Sequence, residues 1–237
     1  MARDHIFRFK EFVVSQGRAA MKVNTDGVLL GAWVDLDGSS SILDVGTGTG
    51  VIALMTAQRN SSATVTAIDI HKGSVEDAQH NVKMSAYSER MSVLHQSLQE
   101  HVQSGAQYDH IITNPPFFTA GPTAAISARA SARHTGALSH AELVACSIEL
   151  LVSGGCQSVV IPKDQEESFH RLATDGSLQL QRKCEVWINE GQVGRVLLTY
   201  CKGDTEQQPT ESLLIRRSDG SYSSEYMRLT ADFYLKF

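Results

Sequence analysis

The chain has no long apolar run: among its 237 residues the longest, residues 28–34, spans seven positions and contains a glycine. A membrane-spanning helix needs about 18 or more consecutive apolar residues, so none is predicted. The amino terminus is charged and lacks the apolar segment of a secretory signal, which favours a cytoplasmic protein with no membrane partner. Prolines number only 5 and charged residues make up 20% of the chain, a composition that excludes collagen-like and disordered classes.

Cysteine is also scarce, and the four thiols are too far apart for a Cys-x-x-Cys metal site or a dense disulfide framework; they are Cys146, Cys156, Cys184 and Cys201. We expect all four to be reduced and to serve mainly in packing. The nine histidines include no pair at the three- or four-residue spacing that places two imidazoles on one helix face. No metal site is therefore predicted.

An excess of positive charge is missing as well. The net charge of −5 argues against a protein that coats nucleic acid with its whole surface. Two stretches differ locally from this average: residues 1–25 carry five basic side chains against two acids, and residues 111–141 contain no acid but include Arg129 and Arg133. Each stretch is either a solvated surface or a contact for phosphate groups.

Short apolar segments alternate with longer helical ones along most of the chain. Strands are predicted over residues 41–45, 64–69, 91–94, 108–113 and 157–161, with helices over 51–59, 75–86, 139–151 and 165–173. Two late strands, 178–188 and 194–202, are expected to pair antiparallel. This order predicts an α/β fold with a doubly wound, Rossmann-like, seven-stranded mixed sheet, and ligands at the carboxyl ends of its first strands.

No Pro-, Gly- or Ser-rich linker divides the chain, so residues 1–237 are expected to form one domain. Within it, residues 1–40 form an N-terminal arm and cap, and residues 41–202 form the core. Residues 203–237 begin as a loop, predicted to extend to Ser212, and end in an aromatic tail docked on the body.

Three alternate glycines follow the first core strand, at Gly46, Gly48 and Gly50. Glycine lets a strand-to-helix turn approach a ligand closely, although such a turn can also need glycine for packing alone. Val51 stands where the dinucleotide fingerprint needs its last glycine, which disfavours a nicotinamide-dependent dehydrogenase. At the end of the next strand, Asp69 is placed either to accept hydrogen bonds from ribose hydroxyls or to cap the following helix.

The segment Asn114-Pro115-Pro116-Phe117 directly follows the 108–113 strand. Two prolines end the strand and fix the backbone, so that the Asn114 amide and the Pro115 carbonyl become preorganised acceptors. Phe117 adds a flat face. A planar amino group could donate two hydrogen bonds to those oxygens while its ring stacks on Phe117. The alternative is a simple turn.

Together, Asp44, the three glycines, Asp69 and the Asn114–Phe117 segment resemble the signature of class I S-adenosylmethionine-dependent methyltransferases that act on planar amino groups. A narrower resemblance comes from residues 22–33 and from the tail, residues 225–235. These are similar to the family that methylates N6 of the adenosine beside the anticodon of a valine tRNA, over essentially the whole chain.

The resemblance implies S-adenosylmethionine as cofactor, tRNA as partner, and transfer of a methyl group to adenine N6. It places Asp44 and the glycines at the methionine moiety, Asp69 at the ribose, and Asn114 through Phe117 at the acceptor nitrogen. Thr25, Asp26 and Gly27 resemble a motif that borders the methionine end; from the residues alone they form a capped turn. Ser97 stands where such enzymes commonly carry an acid for the adenine amino group.

For the tRNA we expect phosphate contacts from Lys22 in the arm and from Arg129 and Arg133 beyond Phe117, and we expect a monomer. Three other functions remain open. A methyltransferase for protein glutamine or another adenine shares the Asn-Pro-Pro-Phe segment, a dehydrogenase leaves that segment unexplained, and a noncatalytic RNA-binding module has no need of the glycine turn.

Overall fold

The computed structural model describes residues 5–116 and 138–236. The described strands are β1 (Ile6–Arg8), β2 (Val13–Ser15), β3 (Ser41–Val45), β4 (Thr64–Asp69), β5 (Met91–His95), β6 (Tyr108–Thr113), β7 (Leu151–Pro162), β8 (Leu178–Asn189), β9 (Gln192–Lys202) and β10 (Glu211–Leu214). The described helices are α1 (Thr25–Trp33), α2 (Val51–Arg59), α3 (Lys72–Lys83), α4 (Leu98–Val102), α5 (His140–Leu150), α6 (Glu166–Asp175) and α7 (Ser224–Leu229). The predicted bounds of β3, β4, β5 and β6 lie within one residue of those observed. In contrast, β7 begins six residues before its predicted start, and α3 lies three residues earlier than predicted.

The main sheet has the strand order β10-β8-β9-β7-β6-β3-β4-β5, and β1 pairs with β2 in a separate hairpin. Strands β3 to β7 are parallel, whereas β9 runs antiparallel to both β7 and β8. From β3 the chain first adds β4 and β5 on one side and then β6 and β7 on the other, which is the doubly wound arrangement. The predicted α/β class and the antiparallel late pair are confirmed.

The prediction of seven strands is wrong, because the sheet already has eight within residues 5–116 and 138–236. Glu211 and Ser212 fall within the predicted 203–212 loop, yet they begin β10. This short strand pairs parallel with β8, from Glu211 opposite Cys184 to Leu214 opposite Trp187. Arg182 forms an ion pair with Glu211, the first residue of β10, with the Arg182 Nε atom 2.7 Å from one carboxylate oxygen.

Apolar side chains form one buried cluster on each face of the sheet. The first contains Phe9 and Phe12 of the arm, Ile42 of β3, and Tyr226 and Phe233 of the tail. Arm, core and tail therefore share one buried surface, as expected from an aromatic terminus that docks on the body.

The expectation of four reduced cysteines is wrong. Cys156 and Cys201 are joined by a disulfide, whereas Cys146 and Cys184 are free. The antiparallel register of β7 and β9 places Cys156 directly opposite Cys201, with their Cα atoms 4.0 Å apart. A separation of 45 residues along the chain carries no sign of this proximity.

The helices within the two described ranges are all too short or too polar to span a membrane.

The pH dependence of stability should show the burial of His110 in β6. Its ring Nε2 lies 2.9 Å from the Ser158 hydroxyl, and burial lowers the pKa of His110 to about 4. The unfolded chain takes up a proton below its ordinary pKa of about 6.5 while the folded chain does not, so stability falls as the pH drops from about 6.5 towards 4. At pH 5 the loss is about 2 kcal/mol.

Urea unfolding of the parent and of His110→Gln at pH 7.5 and pH 5 measures this contribution. The parent should lose about 2 kcal/mol more than the variant between the two pH values. Equal losses in the two proteins would contradict the assignment of a neutral buried ring.

Candidate active site

Three parallel strands end side by side at one edge of the sheet. The register pairs Val45 of β3 with Ile68 of β4 and with Thr113 of β6. The next residues along the three strands are therefore Gly46, Asp69 and Asn114, in neighbouring rows about 4.8 Å apart. Sequence positions separated by 23 and 45 residues are brought to one place by strand register alone.

The glycine turn adopts a backbone that favours glycine. Gly46, Gly48 and Gly50 have φ values of +68°, +58° and +81°, all in the left-handed region. The N–H groups of Gly46 and Thr47 donate to the Ile68 carbonyl at 2.9 and 3.0 Å, which ties the turn to β4. A Cβ added at Gly46 would meet no atom within 4 Å, so the turn leaves open space in front of its backbone.

Asp69 braces this turn from the end of β4. One carboxylate oxygen accepts the Gly48 N–H at 2.8 Å, and the other accepts the His71 N–H at 2.7 Å. The cap of α3 is His71, whose ring nitrogen accepts the Ser74 N–H at 3.1 Å. The alternative reading of Asp69 as the helix cap is therefore wrong, while its ribose contact stays a prediction.

Asp44 lies beneath the turn and is 1% exposed. One of its oxygens accepts the Thr47 hydroxyl at 2.6 Å and the Ala53 N–H at 3.2 Å, while Oδ1 has no hydrogen-bond partner among the described residues. Burial raises the pKa of Asp44 to about 7. The side chain thus anchors Thr47 and the start of α2, and it does not line the cavity in front of the turn.

Asn114, Pro115 and Pro116 leave the end of β6. The Thr113 hydroxyl donates to the Val45 carbonyl at 2.9 Å and fixes this strand end against β3. Pro115 is buried, Asn114 half-buried and Pro116 exposed. Phe117, Arg129 and Arg133, also predicted as site residues, lie outside the described residues.

A cavity of about 310 Å³ opens between the glycine turn, Asp69 and Asn114. Six predicted site residues line it together: Gly46, Gly48, Asp69, Asn114, Pro115 and Pro116. The lining that the sequence analysis missed includes Ala20, Met21, Ile70, His71, Ser74, Gln96, Leu98, Gln99 and Leu138. Ile70 and Gln96 directly follow β4 and β5, so the strand-end rule could have found them; Ala20 and Met21 gave no local signal.

The other predicted residues occupy different places. Thr25, Asp26 and Gly27 begin α1, capped by Asn24, whose amide oxygen accepts the Gly27 N–H at 2.9 Å. Asp26 pairs with Arg195 of β9 at 2.9 Å. These three residues are not among those that line the cavity.

Ser97 caps α4. Its hydroxyl accepts the Glu100 N–H at 3.1 Å, and its own N–H donates to the Glu100 carboxylate at 2.7 Å. The neighbouring Gln96 and Leu98 line the cavity, whereas Ser97 does not. Lys22 is exposed and directly follows Met21 in the cavity wall. Among the residues described, no group of three or more His, Cys, Asp or Glu side chains is arranged to hold a metal ion.

Comparison with known proteins identifies the family. Residues 21–174 match the methyltransferase small domain family. This chain belongs to that family. The match includes the glycine turn, Asp69 and the Asn114–Pro116 segment.

Several relatives of this methyltransferase are similar over nearly their whole length. The tRNA1(Val) (adenine(37)-N6)-methyltransferase of Tolumonas auensis is 37% identical, with 98% of each chain covered. The enzyme of the same name from Vibrio parahaemolyticus is 42% identical over 97% of this chain and 95% of its own.

Solved structures share the fold at lower identity. A protein from Agrobacterium tumefaciens, described as a predicted O-methyltransferase, superposes with a TM-score of 0.68 at 20% identity, covering 88% of this chain and 96% of its own. A ribosomal protein L11 methylase from Lactobacillus delbrueckii gives a TM-score of 0.57 at 17% identity, with 80% and 84% covered.

The residues present fit S-adenosylmethionine, the cofactor of this methyltransferase family. Gly46 leaves room for a ligand against its backbone, Asp69 offers carboxylate oxygens at the next strand end, and the half-exposed Ile70 beside it offers an apolar surface for a ring. The Asp69 carboxylate also suits a ligand that carries positive charge on sulfur and on its amino group.

Replacement of Asp69 tests the cofactor side of the cavity. If Asp69 holds the ribose hydroxyls as predicted, Asp69→Ala should weaken S-adenosylmethionine binding by about 1.5–3 kcal/mol, or roughly 10- to 150-fold, because hydrogen bonds to a charged carboxylate are lost. Isothermal titration calorimetry measures the affinity, and circular dichroism checks that the variant still folds. Unchanged affinity in a folded variant would contradict the ribose role.

Proposed function

We propose that this methyltransferase transfers the methyl group of S-adenosylmethionine to the exocyclic N6 of adenosine 37, beside the anticodon of tRNA1(Val). The observation that carries this proposal is that Asn114, Pro115 and Pro116 line the same cavity as the glycine turn and Asp69. An acceptor site and a cofactor site thus share one opening. Relatives with that printed name, 37% and 42% identical, support the choice of tRNA and nucleoside.

The acceptor nitrogen is a weak nucleophile because its lone pair is delocalised into the adenine ring. In the proposed mechanism the Asn114 amide oxygen and the Pro115 carbonyl accept hydrogen bonds from its two N–H groups. These contacts favour a tetrahedral nitrogen and offset the positive charge that develops there. The two prolines hold both oxygens in place before the substrate arrives, which lowers the reorganisation cost.

Bound S-adenosylmethionine supplies a methyl group that its sulfonium already activates. The protein therefore has mainly to align the nitrogen with that methyl group, and no base is needed before attack. Phe117 completes the proposed acceptor site by stacking on the adenine after the nucleotide leaves its stack in the anticodon loop.

The proposal extends to the organisation of the chain. The shared apolar cluster of arm, core and tail supports one catalytic domain over residues 1–237. We also propose a monomeric enzyme with a cytoplasmic location, and the tRNA substrate supports that location.

The most direct test incubates the protein with labelled S-adenosylmethionine and bulk tRNA from a strain that lacks the enzyme. Nucleoside analysis should find the label in N6-methyladenosine of one valine tRNA. Label in another nucleoside would redirect the substrate assignment, as would label in glutamine when proteins replace tRNA in a parallel incubation. Absence of cofactor binding would favour a noncatalytic RNA-binding module.

Asn114→Ala should separate methyl transfer from cofactor binding. Loss of one preorganised acceptor should lower the single-turnover rate by about 10² or more, while S-adenosylmethionine affinity changes little. Asp69→Ala should show the opposite pattern, and it serves as the matched comparison. A single-turnover rate within about threefold of the parent would exclude Asn114 from the acceptor site.

Lys22, Arg129 and Arg133 should contact tRNA phosphates around the opening. The logarithm of the affinity falls as the logarithm of the salt concentration rises. Each contact that is removed should make this negative slope shallower by roughly 0.7–0.9, because fewer counterions are released. Filter binding of Lys22→Ala and of the Arg129→Ala, Arg133→Ala double variant measures this slope, with Lys83→Ala at the far end of α3 as control. If both variants keep the parental slope, the tRNA-binding surface lies elsewhere on the protein.

A further inference from the structure

One face of α3 carries three polar side chains that are removed from solvent. Ser74, Asp77 and Asn81 are 1%, 4% and 1% exposed. Their spacing of three and four residues places them in a row along the helix. Buried polar groups require hydrogen-bond partners, and here the partners come from a different part of the chain.

The partners are backbone groups of the N-terminal arm. The Asp77 Oδ2 atom accepts the N–H groups of Arg18 and Ala19 at 2.7 and 2.9 Å. The Ser74 hydroxyl accepts the Ala20 N–H at 3.3 Å. Residues 18–20 are therefore fastened through their backbone to side chains of α3.

Asn81, one turn further along α3, forms a second set of hydrogen bonds with the arm. Its amide oxygen accepts the Ser15 N–H at 2.7 Å, and its amide nitrogen donates to the Ser15 carbonyl at 2.8 Å and to the Thr49 carbonyl at 2.9 Å. This side chain thus joins the arm to the glycine turn. Arm, turn and helix meet on one buried polar row.

The fastened segment leads directly into the cavity wall. Ala20 and Met21 line the cavity, and the Met21 carbonyl is the nearest atom, at 3.9 Å, to a Cβ added at Gly48. The arm and α3 are in close contact at Arg18, since a Cβ added at Gly73 of α3 would lie 2.6 Å from the Arg18 carbonyl oxygen. A shift of residues 18–19 would therefore be passed on to the wall that faces the glycine turn.

We propose that Asp77 is a positioning residue for cofactor binding: its carboxylate fixes Arg18 and Ala19 so that Ala20 and Met21 form one wall of the S-adenosylmethionine pocket. Asp77 is absent from the cavity lining and acts through the arm. The inference rests on the proposed function only in naming the cofactor. If the arm occupies its place only a tenth of the time without Asp77, the apparent affinity falls about tenfold.

The chain offers a matched control at the other end of the parallel strands, where they begin. Asp109, near the start of β6, uses Oδ2 to accept the N–H groups of Ser40 and Ser41 at 2.8 and 2.9 Å. It is the same kind of fastening, a carboxylate on two consecutive N–H groups, but it lies away from the cavity. Its replacement should disturb local structure without affecting the cofactor.

The experiment compares Asp77→Ala and Asp77→Asn with Asp109→Ala and Asp109→Asn. Calorimetry should find S-adenosylmethionine binding weakened about tenfold or more in Asp77→Ala, less in Asp77→Asn because the amide oxygen can still accept, and unchanged in both Asp109 variants. In the methylation assay the KM for S-adenosylmethionine should rise with kcat nearly unchanged at saturation. Hydrogen exchange should quicken over residues 17–22 in the Asp77 variants and over residues 38–42 in the Asp109 variants.

Unchanged cofactor affinity and unchanged exchange over residues 17–22 in a folded Asp77→Ala variant would overturn the proposal. Equal weakening by the Asp77 and Asp109 variants would also overturn it, because the effect would then be a general loss of stability. If Asp77→Ala fails to fold, the isosteric Asp77→Asn decides between these outcomes. Failure of the parent itself to bind S-adenosylmethionine would overturn the proposed function, and the assigned role of Asp77 with it, whereas binding that Asp77 does not affect would overturn the role alone.

Discussion

The parallel register of β3 with β4 and β6 is the constraint on which the rest of the site depends. It pairs Val45 with both Ile68 and Thr113, so the residue that follows in each strand emerges at the same edge. Gly46, Asp69 and Asn114 are adjacent for this reason, and a shift of one residue in either pairing would turn a strand's side chains to the other face. Side-chain contacts such as that of the Thr113 hydroxyl with the Val45 carbonyl then reinforce the register.

The buried carboxyl group of Asp44 at this edge of the sheet destabilises the folded state when it ionises. The pKa of Asp44 is raised to about 7 by burial, and the nearby charge of Asp69 acts in the same direction. The folded chain therefore holds a proton that the unfolded chain releases from about pH 4 upward, so ionisation of Asp44 lowers stability towards neutral pH.

The core strands and the residues at their ends were predictable because their signals are local. Apolar runs bounded by Gly, Asp or Pro set the limits of β3, β4 and β6, and the strand-end rule placed Asp69 and Asn114 together. Pairings between distant segments gave no such signal. The four residues of β10 are too few and too polar at their start to mark a strand, and only the free edge of β8 makes them one. The disulfide between Cys156 and Cys201 depends likewise on the register of β7 and β9.

The wall formed by Ala20 and Met21 was missed for a related reason. Polar residues at helical spacing normally mark the solvent face of an amphipathic helix, so Ser74, Asp77 and Asn81 would be assigned to the surface of α3. The arm reverses this assignment by supplying backbone N–H and C=O groups to all three side chains. The helix needs these partners, because its three polar side chains would otherwise be buried without hydrogen bonds. The helix therefore gains a second buried face, and through it the arm becomes part of the pocket.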